Sequence, residues 1–116
     1  MSAIDDYIDR GIANKIDGLY DEAIDSFKAA LDLDANSAEA HRQLGLVYGF
    51  VGMFDESLEE LLLAVSLDQS NLGARNDLAL TYSMLGMCEE AKAEFEAVLS
   101  VDPENEVARK NMVYFV

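Results

Sequence analysis

Little in this 116-residue chain could do chemistry: one histidine, His41, one cysteine, Cys88, and 23 acidic side chains. A zinc site needs several His or Cys ligands, which one of each cannot supply. Cys88 has no partner for an internal disulfide. Flanked by Glu89 and Glu90, it lacks the positive surroundings that activate a thiolate, and is expected to be a small, half-buried hydrophobe. His41 is expected to be a partly buried core residue with a hydrogen bond, not a general base. The run Asp32-x-Asp34-x-Asn36 matches the opening of a calcium loop, which then needs glycine at the sixth place and a bidentate glutamate at the twelfth. Ser37 and Gln43 stand there instead, so calcium is rejected. No Gly-rich phosphate loop is present, and acids spread along the whole chain read as a solvated surface. The expectation is a protein that is not an enzyme and holds no metal or cofactor.

Charge narrows the partners. Against the 23 acids stand 8 lysines and arginines, a formal net charge of −15. Nucleic-acid binding runs on lysine and arginine displacing counterions from phosphates, and anionic membranes repel an acidic chain. Neither partner is expected. No apolar run reaches membrane length, and Met1 to Arg10 lacks a signal peptide's basic start and apolar core, so a soluble, cytoplasmic protein is expected. The acidity serves solubility through self-repulsion or attracts a basic partner, solubility being the default.

What organises the chain is a period. Gly18, Gly52 and Gly86 stand 34 residues apart, and in step with them run Ala23, Ser57, Ala91; Phe27, Leu61, Phe95; Leu31, Val65, Leu99; Leu33, Leu67, Val101; and Asp34, Asp68, Asp102. A fixed period of this length means one supersecondary unit repeated, each copy too small to bury its apolar face without a neighbour. Gly45, Ala79 and the Ala23, Ser57, Ala91 column are read as places where two helices approach closely. The three glycines are read as left-handed turns ending the first helix of each pair. Acids at Asp21, Asp55 and Glu89 suit the helix starts that come next. The pattern predicts seven helices, at about 3–16, 21–33, 37–50, 55–67, 71–84, 89–101 and 104–115, with Asn36-Ser37 and Asn71 as caps and Asp102-Pro103 opening the last.

Within a unit the motif is His41-x2-Leu44-Gly45-x2-Tyr48, then Gly52, Ser57, Leu61 and Ala64, followed by Arg75-x2-Leu78-Ala79-x2-Tyr82, Gly86, Ala91, Phe95 and Pro103. This resembles the tetratricopeptide repeat over nearly the whole chain. The resemblance implies an all-α fold, a right-handed superhelix (α-solenoid) of antiparallel helix hairpins. It implies a single domain over 1–116, with repeats at about 4–37, 38–71 and 72–105 and a partial repeat or capping helix at 106–116. The chain departs from the family's usual large aromatic with Tyr7, His41, Arg75 and Arg109. Arg10 and Asn14 replace the usual Leu and Tyr of the first unit, which reads as a polar N-terminal cap. The closing run Met112 to Val116 is apolar where a solenoid's last helix is normally polar. An uncapped end points to a fragment of a longer array or to packing on a second copy.

In that family the first helix of each unit lines a concave groove. Carried onto this chain, the resemblance implies a partner-binding surface made by Ile8, Ile12 and Ile16, by Glu39, Arg42, Gln43, Leu46 and Phe50, by Asn76, Asp77, Leu80 and Met84, and by Lys110 and Tyr114. One subclass holds the C-terminal carboxylate of cytosolic chaperones with two lysines, an arginine and two asparagines at set places. Those places hold Ile8, Ile12, Gln43, Gly73 and Asp77 here, and an aspartate in the arginine's place repels a carboxylate. That clamp is excluded. The isoleucines with Leu46, Phe50, Leu80 and Met84 form an apolar floor rimmed by Asp5, Asp9, Glu39 and Asp77, suited to an amphipathic helix or extended segment with basic flanks. The expected function is a protein-interaction scaffold. The alternatives are a self-assembling module, joined through its apolar C-terminal helix, or the docking part of a larger enzyme.

Overall fold

The computed structural model describes residues 2–115, and Met1 and Val116 lie outside the described residues. Seven α-helices succeed one another: α1 (Ala3–Ile16), α2 (Tyr20–Leu33), α3 (Ala38–Phe50), α4 (Phe54–Leu67), α5 (Leu72–Met84), α6 (Cys88–Val101) and α7 (Glu106–Met112), closed by a 3₁₀ turn at Val113–Phe115. No strand occurs among the described residues. Each helix packs chiefly on its neighbours in sequence, while α1 touches α3 and α3 touches α5 along one side. The result is an elongated ribbon of hairpins, 44 × 26 × 21 Å.

Local signals set the boundaries. Ser2, Ser37, Asn71 and Asn105 each accept a hydrogen bond from a backbone N–H in the first turn of α1, α3, α5 and α7. These bonds satisfy donors that a helix start leaves orphaned. The second helices lack a side-chain cap and begin with two acids each, Asp21 and Glu22, Asp55 and Glu56, Glu89 and Glu90. There the negative charge meets the positive end of the helix dipole. Between the helices Gly18, Gly52 and Gly86 have φ of +77°, +82° and +74°. With that geometry the N–H groups of Leu19, Met53 and Met87 reach back to the carbonyls of Asn14, Tyr48 and Tyr82, each at 2.8 Å. This is the bond pattern of a glycine-terminated helix.

Inside each hairpin the small residues of one helix receive the large residue of the other. Phe27, Leu61 and Phe95 are all buried, as are Ala23, Ser57 and Ala91. A Cβ on Gly11 would lie 2.4 Å from the Phe27 ring, and one on Gly45 would lie 2.8 Å from Leu61 Cγ. Ser57, polar in an otherwise alanine column, donates its hydroxyl to the Gly45 carbonyl at 2.7 Å, so burial leaves it satisfied.

A second repeating device clasps the outer side of the hairpins. Arg75 donates through Nη1 to Glu94 at 3.1 Å and through Nε to the Gln69 carbonyl at 2.9 Å. One period earlier His41 sits between the same two acceptors, with Glu60 at 3.1 Å and the Ala35 carbonyl at 2.8 Å. His41 and Arg75 therefore tie the two helices of their hairpins through hydrogen bonds to a carboxylate.

Several expectations need correction. Helix α7 begins at Glu106 under the Asn105 cap, and Asp102-Pro103 lies in the preceding turn. Asn105, 34 residues after Asn71, offers a side-chain acceptor to the Ala108 N–H that proline's fixed φ cannot replace. The last helix ends at Met112; Met112 and Phe115 pack on the cluster holding Phe95, whereas Val113 and Tyr114 face solvent. Val116, the end of that apolar run, is outside the described residues. Cys88 is exposed, because it is the first residue of α6 and precedes the turn that packs. Helices α2, α4 and α6 each start one residue earlier than predicted, and α3 and α5 one later, the capping residue being outside the helix.

Stability should follow these contacts in a definite order. Gly52→Ala places a Cβ on left-handed backbone in open space and is expected to cost about 1–2 kcal/mol. Gly11→Ala collides with a buried ring and should cost more than Gly52→Ala, while Ala91→Leu should cost about 1–3 kcal/mol by overpacking. Urea unfolding of the three variants reports the ranking.

Candidate functional site

The side on which α1, α3 and α5 meet carries two different surfaces. From the C-terminal turn of α1 across the N-terminal and central parts of α3 and α5 runs a polar strip. Lys15 Nζ donates to Gln43 Oε1 at 2.6 Å, and Gln43 Nε2 donates to Glu39 Oε1 at 2.8 Å. Arg42 Nε donates to Asp77 Oδ2 at 2.7 Å, joining α3 to α5. A Cβ on Gly73 would lie 2.7 Å from Arg42 Nη2, so the guanidinium end of that flexible side chain occupies space that the glycine leaves open. Further along, Asn76 donates through Nδ2 to Asn105 Oδ1 at 3.0 Å, and its own buried Oδ1 finds no partner among the described residues.

Burial opposes charge in this strip. Desolvation pushes the Asp77 carboxyl above its usual range, with the Arg42 hydrogen bond and charge pulling it back only in part. Desolvation likewise lowers the Lys15 amine, against the attraction of Glu39. The strip is internally paired, and its cations and anions offset one another.

Toward the C-terminal ends of α3 and α5 the surface turns apolar. Leu46, Gly49, Phe50, Leu80, Thr81 and Met84 surround a hollow of about 230 Å³, with Phe54, Ser57 and Leu61 of α4 beneath and Asp77 at its edge. Phe50 and Met84 are 60% and 63% exposed, unusual for side chains this apolar. Phe50 is held by the Tyr20 ring, centroids 5.9 Å apart and tilted by 47°. Large, exposed apolar groups beside a paired polar strip can bind a partner's side chains.

The residues expected from the sequence divide accordingly. Leu46, Phe50, Asp77, Leu80 and Met84 meet at the hollow. Arg42, Glu39 and Gln43 form the strip, with Gln43 and Asn76 buried. Ile8 belongs to the core with Phe27 and Ala23, and Ile12 packs against that core, so Ile8 is not open groove floor. The reason is its place on α1, one turn before Gly11, the residue that lies against the Phe27 ring of α2. Ile16 is exposed on the same row as Phe50 and Met84. Lys110 and Tyr114 are exposed on the last helix and its 3₁₀ turn, or half-buried at its edge in the case of neighbouring Asn111, with Lys110 beside Glu106 and Arg109. Sequence reasoning misses Tyr20 and Phe54, which share a column with Cys88 and open the second helices. That column is the available signal.

Stacked hairpins with an open concave side define a helical-repeat solenoid. Within that class the chain belongs to the tetratricopeptide repeat family: one model, described as TPR repeat, matches residues 16–50, and another, described as tetratricopeptide repeat, matches 38–71 and 72–105. The structure is similar to the first TPR of Spaghetti (RPAP3) bound to HSP90 peptide SRMEEVD, with a TM-score of 0.92 and 26% identity, covering 96% of this chain and 88% of that one. It is also similar to the second TPR domain of human RPAP3 in complex with HSP70 peptide SGPTIEEVD, with a TM-score of 0.87 and 26% identity over 93% of this chain and 90% of that one. A crystal structure of MamA matches with a TM-score of 0.82 and 27% identity, over 87% of this chain and 59% of that one. No curated protein sequence matches the chain.

Asp77→Asn removes the charge and keeps an acceptor for Arg42. Because the folded state holds the Asp77 proton more tightly than the unfolded state, wild-type stability carries a contribution present at acid pH and lost as pH rises through the raised carboxyl range. The variant lacks that loss. Its stability relative to wild type should therefore improve as pH rises above the ordinary carboxylate range, read by urea unfolding at each pH.

Proposed function

We propose that the chain is a protein-interaction scaffold whose concave side docks an amphipathic helix or extended segment of a partner protein. The observation that carries this reading is the solvent-open hollow lined by Leu46, Phe50, Leu80 and Met84, whose apolar side chains gain by leaving water. Two of the similar solved structures hold peptides of HSP90 and HSP70, which supports peptide recognition by this architecture.

The ligand differs from those in chemistry. Among the five places of the chaperone-tail clamp, Ile8 lies in the core, Gln43 is spent on Lys15 and Glu39, and Asp77 is spent on Arg42. Apolar anchors carry affinity instead of a carboxylate. Asp5, Asp9 and Glu39 are exposed on the flanks and favour a segment with lysine or arginine on either side. A compartment without disulfide chemistry, the cytoplasm, suits a chain with one unpaired cysteine.

Self-association is the second reading, supported by Tyr114 and Val113, 81% and 63% exposed. The net charge of −15 opposes it. Sedimentation at rising concentration decides, since a strict monomer removes this reading.

Affinity capture with the wild type, compared with a Phe50→Ala, Leu80→Ala double variant, identifies the partner. Calorimetry on that partner's segment should then show the double variant weaker by about tenfold or more. Unchanged affinity would remove the hollow as the docking site. Raising salt should slow association more than it speeds dissociation, as stopped-flow measurement would register.

A further inference from the structure

The middle hairpin differs from its sisters on the side turned away from the groove. Phe54, Ser57 and Leu61 of α4 line the concave hollow, whereas Glu59, Leu62, Leu63 and Ser66 project from the opposite side of the same helix and line a second, shallow hollow of about 640 Å³. Leu62 and Leu63 are 43% and 45% exposed. At the corresponding places, 34 residues away, α2 carries Lys28 and Ala29 and α6 carries Glu96 and Ala97. The sister helices show that the fold asks only for charged or small residues there. Two adjacent leucines on water are a local departure that packing of this chain does not explain.

The surroundings indicate what would cover them. A neighbouring hollow of about 390 Å³ between α2 and α4 shares Glu59 and Glu60 with the first and adds Asp32 and Glu56, with Lys28 as its one cation. Glu60 is held by His41, but Asp32, Glu56 and Glu59 enter no ion pair among the described residues. A leucine pair beside uncompensated carboxylates complements an amphipathic helix with aliphatic anchors and lysine or arginine beside them. A second copy fits poorly: a two-fold contact here would set the same acids against each other in a chain of net charge −15.

We infer that the outer face of α4 is a second docking surface, separate from the concave groove, for a basic amphipathic helix of a partner protein. The two faces of α4 let the chain hold two segments at once, one on each side of the ribbon. The outer surface is independent of the groove, because the two hollows share no side chain.

The test uses the 116-residue chain, labelled with ¹⁵N, and a synthetic helical peptide of leucine and lysine with leucines on one face. A peptide of equal charge with glutamine in place of leucine is the control. Expected are amide shifts centred on Glu59, Leu62, Leu63 and Ser66 with the leucine peptide and none of comparable size with the control. Leu62→Gln with Leu63→Ala should weaken binding at these amides by about tenfold or more. Glu59→Gln, which leaves the apolar surface intact, should weaken it less and lessen its salt dependence, and it keeps the test decisive should the double variant unfold. Phe50→Ala should leave these shifts unchanged. Equal binding of the control, shifts confined to the groove, or indifference to the α4 substitutions would each overturn the inference. Concentration-dependent shifts at Leu62 and Leu63 without peptide would overturn it in favour of a second copy.

Discussion

Every feature of this chain depends on how closely the two helices of a hairpin can approach. Gly11 under Phe27 and Gly45 under Leu61 leave no room for a single added carbon. Ala79 repeats the small residue in the third hairpin, buried in one cluster with Phe95. Close approach lets a unit too short for a core of its own bury a large side chain, and it turns the remaining apolar residues toward the next unit. Burial of Phe27, Leu61 and Phe95 fixes the hairpin, and stacking of hairpins then sets the side on which Leu46, Phe50, Leu80 and Met84 are left facing water.

Much of this is legible in the sequence because it is periodic. The turn glycines, the small-residue column and the large residues opposite it recur at one spacing, and each has one physical solution, so the helices and their order can be read from the residues alone. The start of α7 is the exception: Pro103 is a strong local signal for an earlier start, yet Asn105 lies on the 34-residue series of caps and accepts from Ala108 N–H. Periodicity outweighs the local signal.

The candidate site is legible only by position. A repeat register indicates which side of α1, α3 and α5 a residue occupies, but not whether a neighbour covers it. Ile8, Ile12 and Ile16 read alike in sequence, although Ile8 is buried in the first core, Ile12 packs against it and Ile16 stands in solvent. The pairing of Arg42 with Asp77 joins residues 35 positions apart, with the guanidinium lying close over Gly73, and no single motif signals it. Tyr20 and Phe54 escape a reading confined to first helices because they belong to the second helices, whose first residues turn back toward the concave side.

The polar ties across the concave side occur once per junction: Lys15 to Gln43, Arg42 to Asp77, and Asn76 to Asn105. Carbon packs between hairpins as well as within them, Leu61 and Val65 of α4 clustering with Ala74 and Leu78 of α5, and these polar bonds lie beside it on the side where α1, α3 and α5 meet. Each tie demands a particular donor opposite a particular acceptor, so neighbouring hairpins meet in one register where carbon alone would tolerate a slide.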